Sequence, residues 1–354
     1  MESESTGHFD NISLLFNRTK LESRAFGSVL VAICITTLFG NGLVIAALVK
    51  SWHNTVTKPG NYLALHLALA DVLNGLLTMT LCCVSFFATE WLFGDTMCKV
   101  SGFLLIFFTT SSNSFLSMIS LNRYYRVKNP SVRGSTLRRR AFFMTMLCWV
   151  SGLVTGMASA SGHARIVFIP GFDVNCMVVW DTSAKGLINM AFICSLLFCV
   201  PFCVMTVTYV QIFGLVRGRT ATVEPDARVS RIARAESISV PANSSQPHRR
   251  NTLNVIQQFL TTRAEMKTAA TLSMVLGLFA ICWIPVMVVH ALRTFKVESL
   301  SAAVQSVAIL LMYLSSACNP VIYSLRNTSF RAEITDMFSR WRSQSHKTSN
   351  RPTV

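Results

Sequence analysis

Seven long apolar stretches dominate this chain and decide what it can fold into. Six of them contain no Asp, Glu, Lys or Arg, and the seventh is interrupted only by His66 and Asp71. A helix needs about 20 apolar residues to cross about 30 Å of hydrocarbon, so each stretch is long enough to span a membrane. The sequence therefore predicts an all-α membrane protein, a seven-transmembrane helix bundle. The stretches, called spans 1 to 7 below, cover residues 25–49, 62–88, 100–121, 141–162, 186–216, 268–289 and 299–325.

The net charge of the chain is +16, and the excess of basic residues lies on one side of the predicted membrane. If the N-terminus lies outside and the spans alternate, most Lys and Arg residues fall in cytoplasmic segments, while acidic and basic residues balance outside. Basic residues favour the cytoplasmic ends of membrane helices, so this pattern fixes the orientation and places the C-terminus in the cytoplasm. The basic residues therefore face anionic lipid rather than nucleic acid. We expect a multi-pass protein of the plasma membrane.

The predicted outer segments carry sites for two covalent modifications. Residues 1–25 form a short tail without the apolar core of a signal peptide, so span 1 is expected to act as its own insertion signal. Asn11 and Asn17 each begin an Asn-X-Ser/Thr triplet, which predicts glycosylation. Of 11 cysteines only Cys98 and Cys176 fall outside the spans. Because the outer face is oxidising, we expect these two to form a disulfide.

Two cytoplasmic segments differ from the spans in composition. Residues 217–265 are rich in Arg, Ser, Ala and Pro and poor in aromatic residues, which predicts a long, largely disordered third cytoplasmic loop. After span 7, Phe330, Ile334, Phe338 and Trp341 form one apolar stripe at helical spacing. That stripe predicts a short eighth helix, residues 327–341, lying in the inner interface of the membrane. Residues 342–354 are then a cytoplasmic tail.

Four polar residues on four different spans lie at one depth near the bilayer centre. Counted from the inner end of each helix at 1.5 Å per residue, Asn41, Asp71, Ser112 and Asn319 fall about 10–16 Å deep. Asp71 is the only carboxylate in any span. A buried carboxylate must either hold a proton or find a cation. With no Lys or Arg at that depth, the residues alone fit two states of Asp71 equally: bound to Na⁺, or protonated within a hydrogen-bond network.

Charged residues at the inner ends of spans 3 and 6, and prolines within spans 5, 6 and 7, indicate where the helices can move relative to one another. Arg123 lies where span 3 leaves the membrane and Glu265 at the inner start of span 6, so an ion pair would hold these helix ends together. On the residues alone, an interfacial charge that only fixes topology is the better explanation of Arg123. Pro201, Pro285 and Pro320 interrupt spans 5, 6 and 7. Each removes a backbone hydrogen bond and lets the inner half of its helix swing.

Short motifs on all seven spans, taken together, resemble the rhodopsin-like family of G-protein-coupled receptors across residues 26–341. No single motif is specific, but their order on successive spans is. The motifs are Gly40-Asn41-Gly42-Leu43-Val44, Leu67-Ala68-Leu69-Ala70-Asp71, the pair Cys98 and Cys176, Trp149, Pro201 with Tyr209, Cys282-Trp283-Ile284-Pro285, Asn319-Pro320-Val321-Ile322-Tyr323 and Phe330-Arg331.

The resemblance implies roles that the residues alone leave open. It implies a sodium site formed by Asp71, Ser112 and Asn319, with Ser315 where an Asn is more usual. It also implies that the inner face opens to a heterotrimeric G protein, with arrestin and receptor kinases as further partners. The residues expected to rearrange in that opening are Asn122, Arg123, Tyr124, Tyr209, Glu265, Phe279, Trp283, Pro285, Pro320 and Tyr323.

Two positions depart from the family pattern. Asn122 replaces the usual acidic residue before Arg123, which leaves Glu265 as the expected restraint on that arginine. We therefore expect raised basal activity or altered coupling to G proteins. Asn113 stands where the family usually has a branched apolar residue between Pro201 and Phe279. The usual packing switch at that position is therefore in doubt.

By the same resemblance, the ligand pocket lies in the outer half of the bundle. Leu105 occupies the position at which amine receptors carry an Asp, which argues against a biogenic amine. Span 7 contains no Lys, so retinal has no residue with which to form a Schiff base. Mostly apolar walls fit a neutral or lipophilic small molecule first and a peptide second. The expected walls are Leu105, Ile106, Thr109, Ile193, Leu197, Val286, Met287, His290, Gln305, Ile309 and Tyr313.

Other function classes fit the sequence less well. A transporter or channel should show repeat symmetry or several charged residues along a path, and the sequence has neither. A membrane enzyme needs a cluster of acid–base or metal-binding side chains, whereas His66 and His290 lie at opposite membrane faces. Asn122-Arg123-Tyr124 also occurs in melatonin receptors, but Leu197 and Pro320 differ from that subfamily, so its ligand is not carried over. The remaining alternative is a receptor without a ligand of its own, constitutively active or signalling mainly through arrestin.

Overall fold

The computed structural model describes residues 19–129, 135–161, 164–169, 175–222, 274–295 and 301–326, together with residues 335 and 339. Asn11, Asn17 and Glu265 lie outside these residues, as do most of the third cytoplasmic loop and of the eighth helix. The side chain of Tyr323 also lies outside the described part. What the sequence predicts for them therefore stays a prediction.

Seven helices in the described residues are long and apolar enough to cross a membrane, one for each predicted span. Helices suit hydrocarbon because their backbone N–H and C=O groups pair within the segment. Large apolar side chains such as Phe39, Leu147 and Val210 are exposed on the outer surface of the bundle, where lipid would surround them. The protein is thus a multi-pass, all-α membrane protein. Spans 1 to 7 run Lys20–Lys50, Pro59–Ala88, Gly94–Lys128, Ser135–Ser159, Ala184–Leu215, Met274–Thr294 and Ala302–Ile322.

Span 1 begins inside the predicted outer tail of residues 1–25, because a polar cap starts the helix at Lys20. The Thr19 hydroxyl accepts the N–H of Glu22, and the Glu22 carboxylate accepts the N–H of Thr19 at 2.8 Å. This capping box satisfies two backbone donors that the first turn would leave without partners. The helix of span 5 likewise continues to Thr222, past the predicted loop start at residue 217. Apolar stretches mark the hydrocarbon crossing, not the polar turns that prolong a helix beyond it.

Span 3 is the most buried of the seven and packs between spans 2, 4 and 5. Its close approach to span 4 depends on a glycine. A Cβ at Gly152 would lie 2.6 Å from the carbonyl oxygen of Phe107 and 2.0 Å from the hydroxyl of Ser111. Spans 1 and 7 pack together on the other side of span 2. This arrangement brings spans 2, 3 and 7 around one interior layer.

The segment between spans 4 and 5 contains an antiparallel hairpin that the sequence did not predict. Strand β1 is Ala164–Val167 and strand β2 is Met177–Trp180, with Ala164 opposite Trp180 and Val167 opposite Met177. The disulfide expected between Cys98 and Cys176 is present and ties the residue before β2 to span 3. The hairpin is thereby held over the outer end of the bundle.

One short helix and two π-helical turns complete the described fold around the spans. Trp52–Thr57 is a helix connecting spans 1 and 2 on the inner side. The π-helical turns are Gly75–Met79 in span 2 and Ser195–Cys199 in span 5. Such turns shift the register of the helix and often mark functional positions. The second of them ends two residues before Pro201, the position of the kink predicted for span 5.

Candidate functional site

The interior layer centres on Asp71, whose side chain is fully buried. Asp71 Oδ1 accepts hydrogen bonds from Ser112 Oγ and Ser316 Oγ, both at 2.9 Å. Its other oxygen, Oδ2, accepts from Asn319 Nδ2 at 2.7 Å. One carboxylate thus joins spans 2, 3 and 7, as the shared depth of these residues predicts.

The serine on span 7 that contacts Asp71 is Ser316, whereas the family resemblance implied Ser315 at this layer. Ser315 Oγ donates instead to the carbonyl of Met312 on its own helix, at 2.6 Å. Adjacent residues in a helix point about 100° apart, so only one of two neighbouring serines can face the carboxylate. Depth along the helix could not distinguish them, because they differ by about 1.5 Å.

Asn41 belongs to the same layer but does not touch Asp71. Its Nδ2 donates to the carbonyl of Thr37 at 3.0 Å and to the carbonyl of Ser316 at 3.1 Å. The Ser316 carbonyl is the one that Pro320, four residues later, cannot satisfy because proline has no N–H. Asn41 therefore links span 1 to the kink of span 7.

The chemistry of this layer fits a small hard cation. The groups around Asp71 are two hydroxyls and a carboxamide, so every ligand atom available from them is an oxygen. Oxygen ligands with one negative charge suit a hard cation rather than a soft metal. Among the described residues no group of three or more His, Cys, Asp and Glu side chains comes together, so no transition-metal site of that kind forms there.

Asn113, the second departure from the family pattern, is buried in span 3 and makes a polar contact with span 5. Its Nδ2 donates to the carbonyl of Leu197 at 2.8 Å. Pro201, four residues after Leu197, has no N–H to offer that carbonyl. Asn113 thus donates to the carbonyl that Pro201 leaves without a backbone donor in span 5, as Asn41 does beside Pro320 in span 7.

An aromatic stack connects spans 5 and 6 below the outer pocket. The ring of Phe279 lies 5.6 Å from that of Phe198 and parallel to it within 3°. Trp283 stacks on the same Phe279 at 6.0 Å, and Phe202 lies 6.4 Å from it. Trp283 is 1% exposed, and its Nε1 has no hydrogen-bond partner among the described residues. Movement of the Trp283 ring would therefore be passed to both helices.

The inner ends of spans 3 and 5 are joined by hydroxyl groups. Thr208 Oγ1 donates to Ser120 Oγ at 3.1 Å, and Tyr209 is buried beside it. Asn122 is buried, and Arg123, which follows it, is half-buried. With Glu265 outside the described residues, the predicted pair between Arg123 and Glu265 is not tested by the structure.

The outer pocket lies between spans 3, 5, 6 and 7 and is closed by the hairpin. Of the predicted walls, Ile193 and Ile309 instead pack within the bundle. The predicted residues that do line the pocket are Leu105, Ile106, Thr109, Leu197, Val286, Met287 and His290. The walls that sequence reasoning missed are Gly102, Cys176, Met177, Val178, Trp283 and Met312.

Gln305 and Tyr313, also predicted as walls, contact the hairpin. Gln305 Nε2 donates to Met177 Sδ at 3.5 Å, and Asn175 Nδ2 donates to the Tyr313 hydroxyl at 3.4 Å. Arg293 of span 6 lies 3.8 Å from the same sulfur. The hairpin is therefore attached to spans 6 and 7 by polar contacts and to span 3 by the disulfide.

Met177 and Val178 of the hairpin form buried parts of the wall of the outer pocket. Each is 3% exposed, and both lie among the wall residues together with Trp283. The space left between the walls is about 20 Å³, room for a single water molecule. A larger ligand can enter only if the hairpin or the surrounding helices move.

Known proteins resemble the chain over most of its length. The profile of the "7 transmembrane receptor (rhodopsin family)" matches residues 40–323, which include the interior layer, the aromatic stack and the pocket. The crystal structure of squid rhodopsin superimposes with a TM-score of 0.73 and 22% identity, covering 91% of this chain and 87% of that one. At that identity the likeness establishes the fold.

Curated relatives match the chain at 28% identity. "G-protein coupled receptor 161" of Homo sapiens is 28% identical over 91% of this chain and 62% of its own length. The D(5)-like dopamine receptor of Takifugu rubripes is 28% identical over 87% of the chain and 65% of its own length. The 5-hydroxytryptamine receptor 4 of Cavia porcellus is 28% identical over 86% of the chain and 79% of its own length. The chain thus spans less than two thirds of the first two of these relatives.

Proposed function

Because the chain belongs to the rhodopsin family of seven-transmembrane receptors and not to an enzyme family, we propose that it converts binding of an outer ligand into opening of its inner face to a heterotrimeric G protein. The observation that carries this proposal is the continuous path from the pocket wall through Trp283 and Phe279 to span 5, beside the layer around Asp71. Arrestin and receptor kinases are further partners of the proposed open state.

The signal begins at Trp283, which is both a wall of the pocket and a member of the aromatic stack. A ligand that widens the pocket displaces this ring, and Phe279 passes the displacement to Phe198 of span 5. Pro285 and Pro201 lie close to these aromatic residues in sequence, where each weakens its helix. The inner halves of spans 5 and 6 can then swing together, away from span 3.

The layer around Asp71 fixes the part of the bundle against which spans 5 and 6 move. Its hydrogen bonds hold spans 2, 3 and 7 in one arrangement, and separating the helices would leave a buried carboxylate without its donors. We propose that Asp71, Ser112, Ser316 and Asn319 hold Na⁺ in the closed state. The ion would supply the positive charge that the described residues at this depth lack.

Substitutions of two adjacent serines test whether Na⁺ binds at Asp71. Replacing Ser316 by Ala removes a donor to Asp71 and is expected to weaken the stabilisation of the purified protein by NaCl, compared with choline chloride. Ser315→Ala removes a hydroxyl that bonds only within span 7 and is expected to keep the full NaCl effect. Equal NaCl effects in both variants would contradict the assignment.

We propose that the ligand is a neutral or lipophilic small molecule. The relatives named for dopamine and 5-hydroxytryptamine bear names of amines, whereas the described wall of this pocket contains no carboxylate to pair with an ammonium group. His290 and Thr109 are polar residues among mostly apolar walls. A peptide is the weaker candidate because only about 20 Å³ is open under the hairpin.

The proposed orientation places the N-terminus outside and the C-terminus in the cytoplasm of a plasma-membrane protein. The basic residues at the ends of spans 1, 3 and 4 support it. In this orientation Asn11 and Asn17 are accessible for glycosylation. Tags at the two termini, stained before and after permeabilising the cells, test the orientation separately from signalling.

The proposed activity is tested by G-protein dissociation in cells that express the full chain. We expect the wild type to activate at least one G protein, either basally or with a neutral lipid or indole. Phe279→Ala should abolish that response at equal surface expression, because it breaks the stack between Trp283 and Phe198. An amine agonist would overturn the ligand proposal, and absence of any G-protein response would overturn the proposed activity.

A second candidate, a receptor without a diffusible ligand, is favoured by one observation. Met177 and Val178 of the hairpin line the pocket together with Trp283, and Met177 Sδ contacts Arg293 of span 6 and Gln305 of span 7. In that case the hairpin itself sets the level of signalling, through a G protein or arrestin. The test of this candidate is a substitution of Met177 in the hairpin, with basal signalling as the measurement.

A further inference from the structure

The inner ends of spans 3 and 4 carry a group of cations that the signalling path does not use. Span 4 begins at Ser135 and has three successive arginines in its second turn, Arg138, Arg139 and Arg140. Arg126 and Lys128 stand in the last turn of span 3. Four of the five are exposed, and Arg140 is half-buried between the helices. We call these five residues the inner basic cluster.

Aromatic rings, rather than carboxylates, hold the cations of the cluster. The guanidinium of Arg140 lies over the ring of Tyr125 at 4.7 Å, and that of Arg139 over Phe143 at 5.6 Å. Lys128 Nζ lies 5.5 Å from the ring of Tyr124. A guanidinium that stacks on a ring uses its face, so the N–H donors along its edge stay available for an anion. The cluster is thus ordered and still able to bind.

Among the residues that the structure describes, no carboxylate lies at the inner ends of the spans beside the cluster. The sequence contains no Asp or Glu between Asp95 and Asp173, a stretch that includes the whole of spans 3 and 4. In the described parts of the chain, every acidic residue except Asp71 lies at the outer ends of the spans. The like charges of the cluster, with no acidic side chain beside them in the described residues, create a positive potential that attracts an anion.

The cluster adjoins a surface suited to acyl chains. Phe142 and Phe143 are 51% and 57% exposed, and Leu147 one turn further is 57% exposed. All three lie on span 4 directly beyond the arginines, towards the middle of the predicted membrane. An anion bound at the cluster would therefore sit at headgroup level with apolar surface next to it.

We propose that the inner basic cluster binds the headgroup of a polyphosphoinositide lipid from the cytoplasmic leaflet. Several phosphates on one headgroup match several forked guanidinium donors, and basic pockets between membrane helices on this side recognise such lipids. The proposal uses the orientation stated above but not the identity of the outer ligand.

Lipid nanodiscs test the proposal with the purified full chain. Discs contain phosphatidylcholine with either phosphatidylserine or phosphatidylinositol 4,5-bisphosphate, at equal negative charge, and bound lipid is counted by native mass spectrometry. Binding of the bisphosphate lipid should fall roughly fivefold for each arginine changed to Gln at positions 138–140. Changing the three arginines to Lys keeps the charge and the topology but loses the forked donors. This variant should bind less of the bisphosphate lipid and as much phosphatidylserine as the wild type. The double variant Arg24→Gln and Arg165→Gln, at exposed outer positions, is the matched control and should bind as wild type.

Three results would overturn the proposal. Equal retention of phosphatidylserine and of the bisphosphate lipid would mean that only general charge attraction acts. Displacement of the lipid by an equal concentration of soluble inositol 1,4,5-trisphosphate would mean that the ligand is a soluble phosphate. Unchanged lipid binding in the Gln variants, with reduced G-protein activation in pure phosphatidylcholine discs, would mean that the cluster contacts a protein partner.

Discussion

Two prolines of this receptor leave backbone carbonyls that asparagine side chains from other helices satisfy. The pair at span 7 was predictable in outline, since Asn41 and Pro320 lie at similar depth. The pair at span 5 was not, because nothing in the sequence shows that Asn113 points at the carbonyl of Leu197 rather than at Phe279. A polar residue in an apolar position is visible in the sequence, but its partner becomes visible only when the helices are packed.

Replacing Asn113 by Val should destabilise the protein by about 1–3 kcal/mol, because the buried carbonyl of Leu197 loses its donor. The measurement is thermal unfolding of the purified receptor. Thr110→Val is the matched control on the same helix, since the buried Thr110 hydroxyl has no hydrogen-bond partner among the described residues. A loss of stability as large in Thr110→Val as in Asn113→Val would show that the carbonyl contact contributes nothing.

At the scale of elements, hydropathy located every span but not the ends of the helices or the hairpin. A span is a long apolar stretch, and its length alone distinguishes it from a loop. The hairpin has two strands of four residues each, too short to show periodicity. The burial of Met177 follows from the disulfide at Cys176, which draws the neighbouring residue into the bundle. The expected pocket therefore lacked the loop residues that line it.

Met177→Ala should remove most of a buried side chain from the pocket wall and destabilise the receptor by about 2–4 kcal/mol, as for other buried Met residues. Val179→Ala is the control, because Val179 is only half-buried in the same strand. Thermal unfolding measures the stability of both, and G-protein dissociation measures basal signalling. If the hairpin acts as the ligand, Met177→Ala lowers basal signalling, whereas a receptor for a diffusible ligand keeps its basal level. A smaller stability loss than in Val179→Ala would contradict the packing described.

At the scale of the whole molecule, function depends on the inner face, where the sequence departs from its family. Depth along single helices correctly brought Asp71, Ser112 and Asn319 to one layer, because straight helices share one rise per residue. The inner face cannot be derived in this way, since its restraints join residues from helix ends and connecting segments. Arg123 is half-buried beside a buried Asn122 that carries no charge. The closed arrangement therefore lacks the adjacent carboxylate that would hold this arginine.

Asn122→Asp should lower basal G-protein activation roughly tenfold, because a charge-assisted hydrogen bond to Arg123 adds about 1.5 kcal/mol or more to the closed state. Basal activation is measured by G-protein dissociation at matched surface expression, without added ligand. Asn129→Asp is the control, since it places the same charge at the exposed inner end of span 3. Equal decreases in both variants would point to a general effect of negative charge on the inner face. No decrease in Asn122→Asp would mean that Arg123 is already restrained by other contacts, and that the altered motif does not raise basal activity.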